Sequence, residues 1–200
     1  MIMEMLGEQQ IGIYAAAVKL SEAFYFLPAL LTVSFFPAIV NAKKSSEKLY
    51  MQRLQNLYSL LIWLALPIAM LFTLIGQSVV VFLYGNEYEE AGEVLIVHIW
   101  SAIFVFISAG FGRYLMAENL AIINMNRVVI GAFINVVLNY FLIPQYGVIG
   151  AAYATLITLV LINYVFDIFN KKLWGQLSMK LIAFYYPLQL IYKFFYERSK

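Results

Sequence analysis

Long stretches without a charged side chain are the feature that most restricts how this chain can fold. They contain no Asp, Glu, Lys or Arg and cover residues 23–42, 54–86, 94–112 and 128–166. A helix needs about 20 apolar residues to cross the hydrocarbon core of a bilayer. In the longest stretch, Pro144 and Gly147 mark a break between two helices, because proline cannot continue a helix. The sequence therefore predicts an all-α, polytopic transmembrane helix bundle.

Five spans are predicted within a single transmembrane domain over residues 1–200. Their ranges are 11–40, 56–84, 94–116, 122–143 and 147–169. A further apolar stretch, 181–192, is too short for a full crossing, is bounded by Lys180 and Lys193, and contains Pro187. We therefore predict that the segment 178–195 is an interfacial helix or a partial span.

The composition excludes several classes of protein. Charged residues make up 12% of the chain and hydrophobic residues 64%, with a mean hydropathy of +0.82, whereas soluble domains carry roughly a quarter charged residues. A soluble domain and a nucleic-acid binder are therefore excluded. The chain has no cysteine and one histidine, and it contains no catalytic or phosphate-binding motif. We expect neither an enzyme nor a bound metal or cofactor.

The basic residues predict how the bundle is oriented. Segments 41–55, 113–127 and 170–180 carry nine Lys and Arg residues, whereas the segments predicted at the opposite ends of the spans carry none. Loops rich in Lys and Arg stay in the cytoplasm. We therefore expect loops 41–55 and 170–180 to be cytoplasmic and the acidic loop 84–93 to lie outside.

Charged side chains in the first predicted span are candidates for lining a functional cavity. A charge at the centre of a membrane helix costs about 2.5–3.5 kcal/mol, so such residues usually face a bundle interior or water. Lys19 and Glu22 lie three residues apart, on one helical face, where they can pair. Either this pair opens to meet a polar or anionic substrate, or it is a structural ion pair, or Lys19 extends to the outer interface.

A second polar stripe lies in the fourth predicted span. Arg127, Gly131, Asn135 and Asn139 recur every four residues, and each step turns about 40° around a helix of 3.6 residues per turn. Amides suit sugar hydroxyls and cost less than ions in a membrane. The alternative is that they only form hydrogen bonds between helices, with Arg127 as an anchor at the basic end of the span.

Two titratable residues near the ends of spans are further candidates. Asp167, the only aspartate, lies near the basic end of the fifth span. It can take up a proton or pair with Arg113 or Arg127, or it is simply an interfacial carboxylate. His98 lies near the opposite end of the third span, and histidine titrates near neutral pH. It is a candidate for proton coupling, although a single interfacial histidine is more often uninvolved.

Short groups of residues follow one another in a recognisable order. They are Gly12–Ala17 with Leu20–Glu22; Phe26–Pro28 with Phe36 and Pro37; Tyr84, Gly85, Tyr88 and Ala91; and Asn135 with Leu138–Pro144, Tyr146, Gly147 and Gly150–Ala152. This order resembles the polysaccharide/oligosaccharide flippase family. That family belongs to a superfamily that also contains multidrug and toxin extruders and lipid II flippases.

The resemblance implies two helix bundles around a central cavity that opens alternately to each side of the bacterial cytoplasmic (inner) membrane. The implied substrate is an undecaprenyl-diphosphate-linked oligosaccharide, moved outward for lipopolysaccharide O-antigen, capsule or exopolysaccharide. By position, Lys19, Arg113 and Arg127 are expected to attract the diphosphate, and Asn135 and Asn139 to make polar contacts. Because family members are longer, the chain is expected to be a C-terminal half that works with an N-terminal half.

Two other functions are kept as alternatives. A cation-coupled multidrug exporter of the same superfamily would use membrane-embedded carboxylates, for which Glu22 and Asp167 are the candidates. A non-transporting membrane fragment or scaffold would use the polar stripe only to hold helices together.

Overall fold

The computed structural model describes residues 1–186, and this part of the chain is helical, with no strand. The helices are α1 (Ile2–Leu6), α2 (Glu8–Glu22), α3 (Phe26–Ser45), α4 (Glu47–Tyr84), α5 (Glu89–His98), α6 (Ser101–Ala117), α7 (Ala121–Tyr146), α8 (Val148–Val160), α9 (Phe166–Ile168) and α10 (Trp174–Ile182). A π-helical turn, Leu161–Val165, joins α8 to α9. Short 3-10 turns, Asn86–Tyr88 and Lys171–Leu173, precede α5 and α10.

The predicted all-α polytopic bundle is confirmed. Four helical stretches within the described residues are long and apolar enough to cross a membrane: Glu8–Ser45, Glu47–Tyr84, Ala121–Tyr146 and Val148–Ile168. A fifth consists of Asn86–His98 followed by Ser101–Ala117, bent by 45°. The chain is thus a multi-pass membrane protein.

The third span differs from the single stretch 94–116 that the sequence indicates, because it is bent at Ile99 and Trp100. The amides of Ala102 and Ile103 donate to the carbonyls three residues before them, which tightens the backbone at this point. The Trp100 indole N–H donates to Thr73 Oγ1 of α4 over 3.0 Å. A contact with a neighbouring helix thus holds the bend.

The segment after the fifth span lies against the bundle. Tyr58 of α4 donates a hydrogen bond of 2.7 Å to Gln176 Oε1, and the Gln55 side-chain amide donates to the Met179 carbonyl over 3.1 Å. Lys180 is fully buried. The stretch predicted over 178–195 is described only to residue 186, and the rest of it lies outside the described residues.

Helix α4 provides much of the core, and glycines let neighbouring helices in the bundle approach each other closely. A Cβ atom on Gly110 of α6 would lie 2.9 Å from Leu61 Cδ1 and 3.1 Å from the Tyr58 ring. Gly150 of α8 packs even closer, since a Cβ atom there would lie 2.3 Å from the Leu142 carbonyl oxygen of α7. Gly147, at φ 62°, makes the turn between α7 and α8.

Helix α7 is the most exposed of the long helices. Only Arg127, Gly131 and Ile143 are buried along its length, and it packs mainly against α8. Its other faces are open to lipid or to the space between α7 and α2–α3. That space is the location of the candidate site.

Candidate functional site

A groove lined by both polar and apolar side chains runs between α2–α3 on one side and α7 on the other, with α5, α6 and α8 forming its floor. It consists of three cavities of about 390, 360 and 390 Å³. The first lies between Tyr14 and Asn139, the second between Glu22 and Asn135, and the third beside Asn124. Because residue numbers rise along α2–α3 while they fall along α7, the three cavities lie in order along the helices.

The first two cavities adjoin each other, because Asn135 and Thr155 line both of them. The third begins about one helical turn further on, since Val105 and Val128 line the second cavity, whereas Ser108 and Asn124 line the third. From Asn124 to Asn139 the groove follows fifteen residues of α7, or about 22 Å at a rise of 1.5 Å per residue.

A pair of amides lies at the junction of the first two cavities. Asn139 Nδ2 donates to Asn135 Oδ1 over 2.9 Å, and Asn135 Nδ2 donates to Thr158 Oγ1 over 3.4 Å. Asn139 Oδ1 is buried and has no hydrogen-bond partner among the described residues. The tyrosine hydroxyl of Tyr14 lies 3.5 Å from Thr155 Oγ1. This end of the groove offers uncharged donors and acceptors to a polar ligand.

Lys19 and Glu22, the two charged residues predicted in the first span, differ in their position relative to the groove. Glu22 lines the second cavity. Lys19 is exposed on α2 but is not among the residues that line the groove. The two side chains do not form the ion pair that their spacing permits.

Arg113 lies at the other end of the groove from Asn139. It lines the third cavity together with Thr32 and Asn124, and its guanidinium carbon lies 5.5 Å from the centre of the Phe36 ring. The structure therefore places one of the predicted cations in the groove, on the part of α6 nearest the basic loops.

His98 is buried in the wall of the second cavity, at the end of α5 where the third span bends. Its Nδ1 atom lies 2.6 Å from Ser21 Oγ of α2, and its ring meets the Tyr14 ring edge to face at 6.1 Å. His98 thus joins the bend to α2.

Arg127 does not line the groove, unlike the asparagines that follow it along α7. Its side chain is only 3% exposed, so it is also not an anchor at the membrane surface. The guanidinium donates to the Ile162 carbonyl and to Asn163 Oδ1, each over 3.1 Å, and packs on the Phe111 ring at 4.6 Å. The structure thus places Arg127 in a contact between α7 and the π-helical turn Leu161–Val165, outside the three cavities.

Asp167 is fully buried, and its partner is neither of the arginines that the sequence suggested. Lys180 Nζ lies 2.5 Å from Asp167 Oδ2, donates to the Asn163 carbonyl over 2.8 Å, and sits 3.7 Å from the centre of the Phe111 ring. We call Arg127, Asn163, Asp167 and Lys180 the buried polar network. Asp167 lines none of the three cavities of the groove.

The sequence analysis missed Lys180 as a member of this network. The available signal was the spacing of Gln176, Lys180 and Ala183, which places them on one face of a helix, and all three are buried. The network also reaches the groove, because Ser108, which lines the third cavity, donates to Asn163 Oδ1 over 2.8 Å.

Comparison with known proteins shows which proteins this chain is similar to. Residues 1–93 match a family described as polysaccharide biosynthesis protein. Two proteins of Haloferax volcanii are similar over about three quarters of the chain: a probable flippase, 29% identical over 155 residues, and a probable low-salt glycan biosynthesis flippase, 23% identical over 151 residues. The chain is similar to polysaccharide flippases. The resemblance seen in the sequence is therefore confirmed.

A third relative is a capsular polysaccharide biosynthesis protein of Staphylococcus aureus, 21% identical over 173 residues, or 85% of this chain. The matches cover 32% of each Haloferax protein and 43% of the Staphylococcus protein. The chain thus corresponds to less than half of each relative. No solved structure matches the chain.

Proposed function

We propose that this chain forms part of a flippase that moves a lipid-linked oligosaccharide across the membrane by alternating access. The observation that supports this most strongly is the groove, which places amide, hydroxyl and phenol groups along a path about 22 Å long, at 1.5 Å per residue of α7, in a bundle of membrane helices. Lipid gives such groups no hydrogen-bond partners, so their partners are one another, water or a polar substrate. The similarity to glycan flippases supports the same class of substrate.

The two ends of the groove suit the two parts of such a substrate. In our proposal Arg113, near the basic loops, meets the diphosphate on the cytoplasmic side, since a guanidinium matches phosphate oxygens well. The amides of Asn135 and Asn139, further along, contact sugar hydroxyls. The substrate we propose is an undecaprenyl-diphosphate-linked repeat for surface polysaccharides such as O-antigen, capsule or exopolysaccharide. It moves outward across the cytoplasmic membrane.

A second helix bundle completes the transporter in this proposal. The groove is open on the side away from α8, so α2–α3 and α7 form two rims rather than a closed channel. A bundle facing those rims would enclose the substrate and exclude lipid from the amides. This agrees with the chain matching less than half of each relative.

The proposal is tested by replacing Arg113 with Ala in the transporter that contains this chain. We expect less surface polysaccharide at an unchanged amount of protein in the membrane, because the diphosphate loses its cation. The matched control is Lys171→Ala, which removes an exposed positive charge outside the groove. If Arg113→Ala leaves the polysaccharide unchanged, the diphosphate role is refuted.

A cation-coupled exporter of small molecules is the second candidate, and the position of Glu22 in the groove favours it. Asp167, the other candidate carboxylate, is paired with Lys180 outside the groove. The exporter predicts that expression of the transporter raises drug resistance and that Glu22→Gln abolishes this effect. The flippase predicts no change in resistance. If neither polysaccharide nor resistance responds to any groove variant, the stripe only joins helices, as in a scaffold.

A further inference from the structure

A separate cavity lies between α3 and α4, and none of its lining residues belongs to the groove. Its volume is about 280 Å³. It is lined by Phe35, Ala38 and Ile39 of α3, and by Arg53, Leu57 and Leu60 of α4. Ala38 and Ile39 follow Phe35 by three and four residues, and Leu57 and Leu60 follow Arg53 by four and seven. The walls are therefore formed by one face of α3 and the facing side of α4.

The two ends of this cavity differ in chemistry. At one end the Arg53 guanidinium donates a hydrogen bond to the Ala38 carbonyl, which holds the charge between the two helices. Asn56, one turn further along α4, is the other polar lining residue. Ile39 and Leu57 form a buried floor, and Phe35 and Leu60, 45% and 41% exposed, form an apolar rim toward the membrane.

The charged end of the cavity faces the basic end of the bundle. Helices α3 and α4 meet at Ser46, and Arg53 lies seven residues beyond it, about 10 Å along the helix. Lys44 and Lys48 flank the same corner and are exposed, as is the acidic Glu47 between them. These two lysines and Arg53 against one glutamate leave this corner with a net positive charge. An anion that approaches along the membrane surface is therefore attracted to this end of the cavity.

We propose that this cavity binds an anionic phospholipid of the surrounding membrane, with the headgroup phosphate on Arg53 and Asn56 and an acyl chain against Phe35, Leu57 and Leu60. The positive charge of Arg53 complements the negative headgroup, and the apolar rim of the cavity complements the acyl chain. An anionic lipid has these two parts in the same order. The lipid would fill the space between α3 and α4. The site is distinct from the groove, so it holds a lipid that is not transported.

Native mass spectrometry of the transporter in detergent, with phosphatidylglycerol or phosphatidylcholine added, tests the proposal. We expect phosphatidylglycerol to be retained more strongly. Arg53→Gln should weaken its binding about fivefold, the equivalent of about 1 kcal/mol for one basic residue near a membrane surface. Arg53→Lys should keep most of the preference. The control Lys171→Gln, which removes an exposed charge outside the cavity, should have no effect.

A second variant separates the contribution of the cavity's shape from that of the Arg53 charge. Ala38→Phe fills the cavity and leaves Arg53 in place, and it should reduce the retention of phosphatidylglycerol to that of phosphatidylcholine while circular dichroism shows unchanged helix content. Equal binding of the two phospholipids, or an equal loss in Lys171→Gln, would refute the proposal. So would a polyprenyl diphosphate that displaces phosphatidylglycerol in an Arg53-dependent way, since the headgroup bound there would then be that of the transported lipid.

Discussion

Replacing Lys180 with Met is the sharpest test of how the bundle is held together. Lys180 Nζ contacts Asp167 Oδ2, the Asn163 carbonyl and the Phe111 ring, and both members of the ion pair are completely buried. The variant keeps an unbranched side chain, one atom shorter than that of lysine, and removes its charge. Asp167 then lacks its ion-pair partner, and Asp167 Oδ1 already has no hydrogen-bond partner among the described residues.

The expected loss is large because one charge stays buried without compensation. Removing one partner of a buried ion pair costs about 3–5 kcal/mol, and in a chain of this size each kcal/mol lowers the unfolding midpoint by about 2–4 °C. We therefore expect Lys180→Met to lower the midpoint by about 10 °C. The double variant Lys180→Met with Asp167→Leu removes both charges and should recover most of this loss, since apolar replacements of buried pairs are often neutral.

Thermal unfolding of the detergent-solubilised protein, followed by size-exclusion chromatography, measures these midpoints. Lys171→Met is the control, because Lys171 is exposed and substitutions at the surface usually change stability by less than about 0.5 kcal/mol. The reasoning is refuted if Lys180→Met unfolds at the wild-type temperature, or if the double variant is no more stable than the single one.

Two further predictions concern packing and orientation. Gly150→Ala should destabilise the protein by about 1–3 kcal/mol, as overpacking does, because the new Cβ would lie 2.3 Å from the Leu142 carbonyl oxygen. The control is Gly175→Ala, whose new Cβ would have nothing within 4 Å. It should not destabilise the protein in the same unfolding assay. A cysteine introduced at Ser45 should react with an impermeant thiol reagent only from the cytoplasmic side, and one at Glu89 only from outside. The opposite pattern of labelling would overturn the orientation.

The spans could be predicted from the sequence because the thickness of the hydrocarbon core sets the length of an uncharged helix. The bend at Ile99 and Trp100 could not, since neither residue is a glycine or a proline. The Trp100 indole and His98 reach Thr73 and Ser21 on other helices, and such contacts exist only once the helices have packed.

The candidate site was predictable in part. The four-residue spacing of Arg127, Gly131, Asn135 and Asn139 indicated a polar stripe, but each step turns by about 40°. Two steps therefore separate Arg127 from Asn135 by about 80° around α7. That angle takes Arg127 out of the groove and against the π-helical turn Leu161–Val165, whereas Asn135 and Asn139 line the groove.

The partner of Lys180 could not be predicted, for a different reason. The stretch after the fifth span is too short for a full crossing, and this predicted an interfacial helix or a partial span. In the structure Lys180 is buried beside Asp167, thirteen residues earlier in the chain. Hydropathy measures how long an apolar stretch is, and it carries no information about which charges will find each other inside the bundle.

We propose that water reaches the groove while the opposite face of α7 contacts lipid. The chain has no cysteine, so Asn135→Cys and Phe133→Cys can each be made as a single reactive site in native membranes. Asn135 lines the groove, whereas Phe133 is 71% exposed and is not among the groove's lining residues. We predict that a charged, membrane-impermeant thiol reagent modifies the cysteine at 135 much faster than the one at 133. Equal rates, or faster reaction at 133, would contradict the claim.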